Sequence, residues 1–184
     1  MCGISGILDF KKSHLAPPIA PSVAKMNDRM RHRGPDDAGI WAEKNIALGQ
    51  RRLSIIDLSP AGHQPMLSHD ERFVITFNGE IYNFKKLKNQ ISDYPFRSNS
   101  DTEVLLAAYA QKGKNILSEL NGMFAFAVWD RAEEELLLAR DQLGIKPLYY
   151  VLSGERLIFA SEIRALLASD LVKKNLMKPL YPII

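Results

Sequence analysis

From Met123 to Trp129 the chain reads MFAFAVW, with no polar residue to interrupt it. A strand that shows one face to water alternates apolar with polar residues, so a run without alternation needs cover on both faces. That requirement predicts a layered molecule with this segment at its centre. Other segments supply candidate strands: CGISGIL from Cys2 to Leu8, where Gly3 and Gly6 permit close approach of another group, then Gly39 to Ala42 and Ile46 to Ile56 around the turn Glu43-Lys44-Asn45. Arg72 to Phe77 reads as a strand that ends in a sharp turn at Asn78-Gly79, and Leu136 to Ala139, Leu148 to Leu152 and Leu157 to Ala160 complete the set.

Helical spacing appears between these groups. Pro17, Pro18 and Pro21 mark a loop, after which Val23, Met26 and Met30 recur at helical intervals until Gly34-Pro35. Asn83 to Ile91, Asp101 to Gln111 and Glu162 to Ala168 follow, the second opening on Ser100-Asp101-Thr102-Glu103, which offers a capping oxygen and acidic first-turn residues. Ser59 to Pro65 has the composition of an irregular loop. Strands in antiparallel groups with helices between the groups predict an α+β fold of two packed sheets with helices outside both. We assign residues 1–170 to one domain and 171–184, with two prolines and no clean period, to a tail or linker stub.

Charge narrows the function. The 24 Lys and Arg against 21 Asp and Glu leave a formal +3, scattered along the chain, which gives no footprint for nucleic acid. The sequence has neither an apolar run of the roughly 18 residues a membrane span needs nor a signal peptide, so a cytoplasmic protein is expected. A single cysteine excludes an internal disulfide and a cysteine-based zinc site, and His14, His32, His63 and His69 lack metal-ligand spacing. No metal is expected.

That one cysteine is Cys2. A lone Cys is usually a small buried hydrophobe, but loss of Met1 would make this one the chain terminus. An N-terminal Cys combines a thiol with an α-amine of reference pKa about 7.7 to 8.0, able to serve as general base for its own side chain. Attack on an amide then needs donors for an oxyanion. Asn78-Gly79 can provide a side-chain NH2 and a backbone N–H, although Asn-Gly is also a common hairpin turn. Arg52 can pair with a substrate carboxylate and, by strand alternation, shares a face with Ser54 and Ile56. Glu80 and Asp101 are candidate partners for an ammonium group; a solvated loop carboxylate and a helix cap are their ordinary roles. Arg140-Asp141 before Gly144 is a candidate charged functional pair, but reads better as a turn-stabilising ion pair at a strand end.

Eight runs in order, CGISGI at Cys2, RHRGPD at Arg31, RRLSIID at Arg51, FNGEIYN at Phe77, SDTEVLL at Ser100, GMFAFAVWD at Gly122, RDQLGIKPLYY at Arg140 and FASEIRALL at Phe159, together resemble the glutaminase domain of class II glutamine amidotransferases. The resemblance is closest to the glutamine-dependent asparagine synthetases. It implies a four-layer αββα sandwich of two antiparallel sheets, the N-terminal-nucleophile hydrolase fold. It also implies hydrolysis of L-glutamine to glutamate and ammonia through a thioester on Cys2. By the same resemblance Asn78 and Gly79 are the oxyanion donors, Arg52 holds the α-carboxylate, and Glu80 and Asp101 hold the α-amino group. Leu53, Ser54, Ile55 and Ile56 run along the substrate. No cofactor is implied for this step; ATP and Mg would enter only with a synthetase domain or subunit that receives the ammonia, and the Ser/Gly-rich pyrophosphate loop of such a domain is not in this sequence.

Three other readings compete. One is a non-catalytic regulatory module that binds glutamine and keeps Arg52 and Asp101; a second is the amidotransferase half of a different class II enzyme. The third is a Cys-His hydrolase with His32 or His63 as base, for which the sequence shows no Asn or Asp evidently placed to orient either ring.

Overall fold

The computed structural model describes residues 1–11 and 19–172. His14, Pro17, Pro18 and the tail from Lys173 onward fall outside the described residues. The elements run β1 (Gly3–Asp9), α1 (Ala20–Arg29), β2 (Asp37–Glu43), β3 (Ile46–Arg52), β4 (Met66–Leu67), β5 (Phe73–Ile81), α2 (Phe84–Lys88), α3 (Asp101–Lys112), β6 (Gly122–Asp130), β7 (Glu135–Arg140), β8 (Tyr149–Ser153), β9 (Arg156–Ala160) and α4 (Ile163–Ala168). Two antiparallel sheets result, ordered β2-β3-β1-β9-β8 and β4-β5-β6-β7.

Three apolar clusters make the layers. Ile4, Leu8, Ile46, Leu48, Val74, Ala125, Ala127 and Trp129 fill the space between the sheets. Ile7, Ala47 and Ile158 turn the other way, against Val23 and Met26 of α1, Met30 just past its C-terminal end, and Leu166 of α4. Ile75, Phe77, Phe124 and Phe126 pack against Val104, Leu105 and Ala108 of α3. The central run thus has its odd positions in one layer and its even positions in another, so it is buried on both faces as its composition requires. This is the expected α+β sandwich, helices outside two sheets.

Several boundaries differ from the sequence reading. Pro21 is not loop; it sits in the first turn of α1, where its missing N–H costs nothing. Strand β3 stops at Arg52 rather than Ile56. Strand β5 does not turn at Asn78-Gly79 but continues to Ile81, because β6 pairs with it throughout, from Phe73 opposite Asp130 to Ile81 opposite Gly122. Arg140 and Asp141 do not form an ion pair. The Asp141 carboxylate accepts the backbone N–H groups of Phe124, Ile145 and Lys146, while Arg140 donates to the carbonyls of Gly144 and Lys146. Leu171 and Val172 pack against the α1–α4 layer, and the Leu171 carbonyl accepts Ser153 Oγ at 2.8 Å.

Candidate active site

Strand pairing brings the distant residues together. In β1 and β3 Gly3 lies opposite Arg51, so Cys2 and Arg52 are carried to the same end of the sheet. On β1, β3 and β5 the even positions Ile4, Leu48 and Val74 face the space between the sheets. A period of two sends Cys2, Gln50, Arg52 and Asn78 the same way. At that end the layer opens into a cleft of about 340 Å³, lined by Cys2, Arg52, Leu53, Ile55, Ile56, Asn78, Gly79, Glu80 and Asp101. Every predicted site residue is there except Ser54. With β3 over at Arg52, alternation no longer governs Ser54, whose N–H donates to Asp36 Oδ2 at 2.8 Å and which lines a neighbouring hollow with Asp37 and His63.

The Cys2 thiol is part-buried against Leu53. Its Sγ accepts the Leu53 N–H at 3.4 Å and lies 3.6 Å from the Leu53 carbonyl. Leu53 therefore meets the sulfur itself, not only the space beside it. Burial pushes the thiol pKa up, and the Leu53 hydrogen bond and the positive Arg52 offset part of that rise. The Cys2 carbonyl accepts Arg33 Nε at 2.9 Å, and Arg33 is itself fixed by Glu162 at 3.1 Å.

Asn78 is 1% exposed, and its Nδ2 has no hydrogen-bond partner among the described residues. A buried donor left unpaired is costly, about 1 to 3 kcal/mol, and such atoms gather where a ligand completes them. Beside it, the free edge of β5 beyond β4 carries N–H groups at odd positions. Phe77 N–H is taken by Gln64 Oε1 at 2.7 Å and Ile81 N–H by Asp101 Oδ2 at 3.0 Å. Alternation places the Gly79 N–H between them on that same edge. A side chain at Gly79 would not fit, since its Cβ would come within 2.4 Å of the Met123 carbonyl oxygen.

Arg52 is buried, not a solvated strand residue. Its guanidinium donates to the carbonyls of Asp57 and Ser59, which hold its plane at the wall of the cleft. Arg51 points outward to Asn27 and Asp28 of α1. Asp101 is no helix cap, for Ser100 Oγ caps α3 by accepting the Glu103 N–H at 3.2 Å. Burial lifts the Asp101 carboxyl to about 6, with the negative charge of Glu80 adding to the rise and the Ile81 N–H opposing it.

Both histidines of the Cys-His reading have carboxylate partners after all, His63 Nδ1 on Asp37 at 2.7 Å and His32 on Glu162 at 2.8 Å. Neither lines the cleft that holds Cys2. The sequence reading missed Arg33, Gln64, Thr102 and Lys146. Arg33 and Lys146 stand in the runs RHRGPD and RDQLGIKPLYY, whereas a Gln before Pro in an irregular loop carries no pattern. Among the described residues no cluster of three or more His, Cys, Asp or Glu is placed to hold a metal, and no helix is long and apolar enough to cross a membrane.

The family model of the glutamine amidotransferase domain matches residues 1–180. The chain belongs to that family. It is 40% identical over 177 residues to asparagine synthetase [glutamine-hydrolyzing] 3 of Bacillus subtilis, covering 94% of this chain and 28% of that protein. It is 44% identical over 169 residues to asparagine synthetase B of Escherichia coli, covering 90% and 30%. Amidase chry2 of Gibberella zeae is 41% identical over 184 residues, covering 93% and 27%. The chain thus spans less than a third of the length of these relatives. Among solved structures, the glutamine phosphoribosylpyrophosphate amidotransferase of B. subtilis superposes with a TM-score of 0.76 at 25% identity, over 92% of this chain and 44% of that one. This is the N-terminal-nucleophile sandwich that the amidotransferase resemblance implied.

Proposed function

We propose that this amidotransferase domain hydrolyses L-glutamine to glutamate and ammonia at Cys2 once Met1 has been removed. The observation that carries the reading is the buried Asn78 Nδ2, without a hydrogen-bond partner among the described residues, on a residue that lines the same cleft as Cys2, Arg52 and Asp101. In the chain with Met1 in place the Cys2 nitrogen is a peptide amide; removal of Met1 supplies the amine. That amine takes the thiol proton, and the thiolate attacks the side-chain carbonyl carbon of glutamine. Asn78 Nδ2 and the Gly79 N–H hold the oxyanion. Collapse returns the proton to the departing nitrogen, releasing ammonia and leaving a γ-glutamyl thioester. Water, deprotonated by the same amine, then releases glutamate and restores the thiol. Arg52 pairs with the α-carboxylate, Asp101 and Glu80 with the α-ammonium, and Ile55 and Ile56 border the bound amino acid.

The ammonia is made for a synthetase domain or subunit of the asparagine synthetase type, in the cytoplasm. The reading rests on the high identity to asparagine synthetases of which this chain spans only a part. ATP and Mg belong to that acceptor. The test is an incubation of the chain, shown by mass to lack Met1, with glutamine and no ATP. Glutamate is expected to accumulate. Absence of turnover above a Cys2→Ala control, together with retained glutamine binding, would establish the non-catalytic module instead.

A further inference from the structure

Phe77, the residue before Asn78, lies where β4 is too short to pair with β5. The β4–β5 register ends with Met66 opposite Ile75, so the outward backbone groups of Phe77 have no strand beside them. Two side-chain amides replace that strand. Gln64 Oε1 accepts the Phe77 N–H at 2.7 Å and Gln50 Nε2 donates to the Phe77 carbonyl at 3.0 Å. Gln64 is fixed in turn by its Nε2 on Thr102 Oγ1 at 3.1 Å, while Gln50 comes from β3, two residues from Arg52 on the same face.

Gln50 is fully buried, and its Oε1 has no partner among the described residues. An apolar side chain of similar volume would fill this place without burying an unpaired acceptor. What the amide contributes is therefore its one hydrogen bond, to the carbonyl of the peptide that joins Phe77 to Asn78. That peptide sets the direction of the Asn78 side chain and, one residue on, of the Gly79 N–H. Two donors must converge within a few tenths of an ångström on one oxygen, so the orientation of this peptide matters more than its stability.

We propose that Gln50 is a positioning residue for the oxyanion site, holding the 77–78 peptide so that Asn78 and Gly79 aim at the same point. The inference rests on the hydrolytic reading of the cleft. It places a specificity for the transition state in a residue that touches neither substrate nor sulfur, and links the strand of the carboxylate ligand Arg52 to that of the oxyanion donors.

The experiment compares Gln50→Met, Asn78→Ala, their double variant and Thr76→Val in the processed chain. Thr76 Oγ1 makes the companion bond between the sheets, to the Gly49 carbonyl at 3.1 Å, without touching the 77–78 peptide. Gln50→Met should lower kcat roughly tenfold or more with KM within about twofold, and its effect should largely vanish in the Asn78→Ala background. Thr76→Val should lower Tm and leave kcat unchanged. Where Gln50→Met does not fold, Gln50→Asn keeps a buried amide but withdraws it by about 1.5 Å, and the same kcat loss is expected. Unchanged kcat in the folded Gln50 variant, or a loss that simply adds to that of Asn78→Ala, overturns the positioning role while leaving the hydrolytic reading intact. If Asn78→Ala itself leaves kcat untouched, the oxyanion assignment falls and this inference with it.

Discussion

The Asp101 carboxylate accepts the Ile81 N–H at 3.0 Å, tying the first residue of α3 to the last residue of β5 across the cleft. Burial holds this carboxyl at about 6, above the ordinary aspartate value of 3.8. In the proposed role as ligand of the α-ammonium it acts as the carboxylate, which forms by deprotonation near pH 6. As pH rises through about 6, kcat/KM for glutamine should rise, and Asp101→Asn should be weak throughout and lack that limb. The measurement is a pH profile of kcat/KM for both proteins.

Stability should move the other way. Between 3.8 and about 6 the folded state holds the Asp101 proton that the unfolded chain has released. Its contribution is thus complete below the lower value and lost as pH rises through the upper one. Other carboxylates, such as Asp57 and Asp141, have lowered pKa values and oppose this trend, so the informative quantity is the difference from Asp101→Asn. The Tm of wild type relative to that variant should fall between about pH 4 and 6; a constant difference would place the titration elsewhere.

Asn78→Ala should reduce kcat by roughly 100- to 1,000-fold, the usual effect of deleting one oxyanion donor, with KM little changed. The donor bonds best to charge that exists only in the transition state. Because Nδ2 has no hydrogen-bond partner among the described residues, its removal should not lower Tm. A change confined to KM would move Asn78 into ground-state binding.

Gly62 backs the guanidinium of Arg52: a Cβ there would lie 2.0 Å from Nη2. Gly62→Ala should displace Arg52 from the carbonyls of Asp57 and Ser59 and raise KM for glutamine several-fold, with kcat less affected. Saturation kinetics of that variant separate the two. An unchanged KM would mean that the loop from Asp57 to Ser59, and not its contact with Gly62, sets the position of the arginine.

Much of this was legible in the sequence where local periodicity carried it. The unbroken run from Met123 to Trp129 required cover on both faces, and the outer-face residues Val23, Met26 and Met30 read as one side of a helix. The strand through Asn78-Gly79 was not legible. An Asn-Gly pair favours a turn locally, and it is the long-range pairing with β6, Gly79 opposite Phe124, that keeps it extended. That extension matters chemically, because only an extended chain aligns the 77, 79 and 81 N–H groups on one edge. Likewise the facing rule for Arg52 held within β3 but failed at Ser54, two residues beyond Arg52, whose pairing with Asp37 is the last of the β2–β3 ladder. Gln64 and Gln50 left no signal, since a buried amide that replaces a missing strand is recognisable only once the strand is seen to be missing.

Arg51 and Arg52 are neighbours with opposite fates, and that contrast provides the sharpest test of substrate recognition. Arg52 lies in the cleft with two of its donors committed to the Asp57 and Ser59 carbonyls, which leaves the rest of its fork for a carboxylate. Arg51 binds Asp28 Oδ1 at 2.6 Å on the outer face of the sheet. Lysine preserves the charge at either position but loses the planar fork. Arg52→Lys should therefore raise KM for glutamine markedly, with a folded protein, whereas Arg51→Lys should alter KM by less than about twofold, as an exposed pair of this kind contributes little. The α-amide of glutamine, which has no α-carboxylate, should be a poor substrate for wild type and suffer little further loss in Arg52→Lys. A KM comparison of the three proteins with both substrates checks this. Equal use of the two substrates by wild type, or greater damage from Arg51→Lys, would move the carboxylate site away from Arg52.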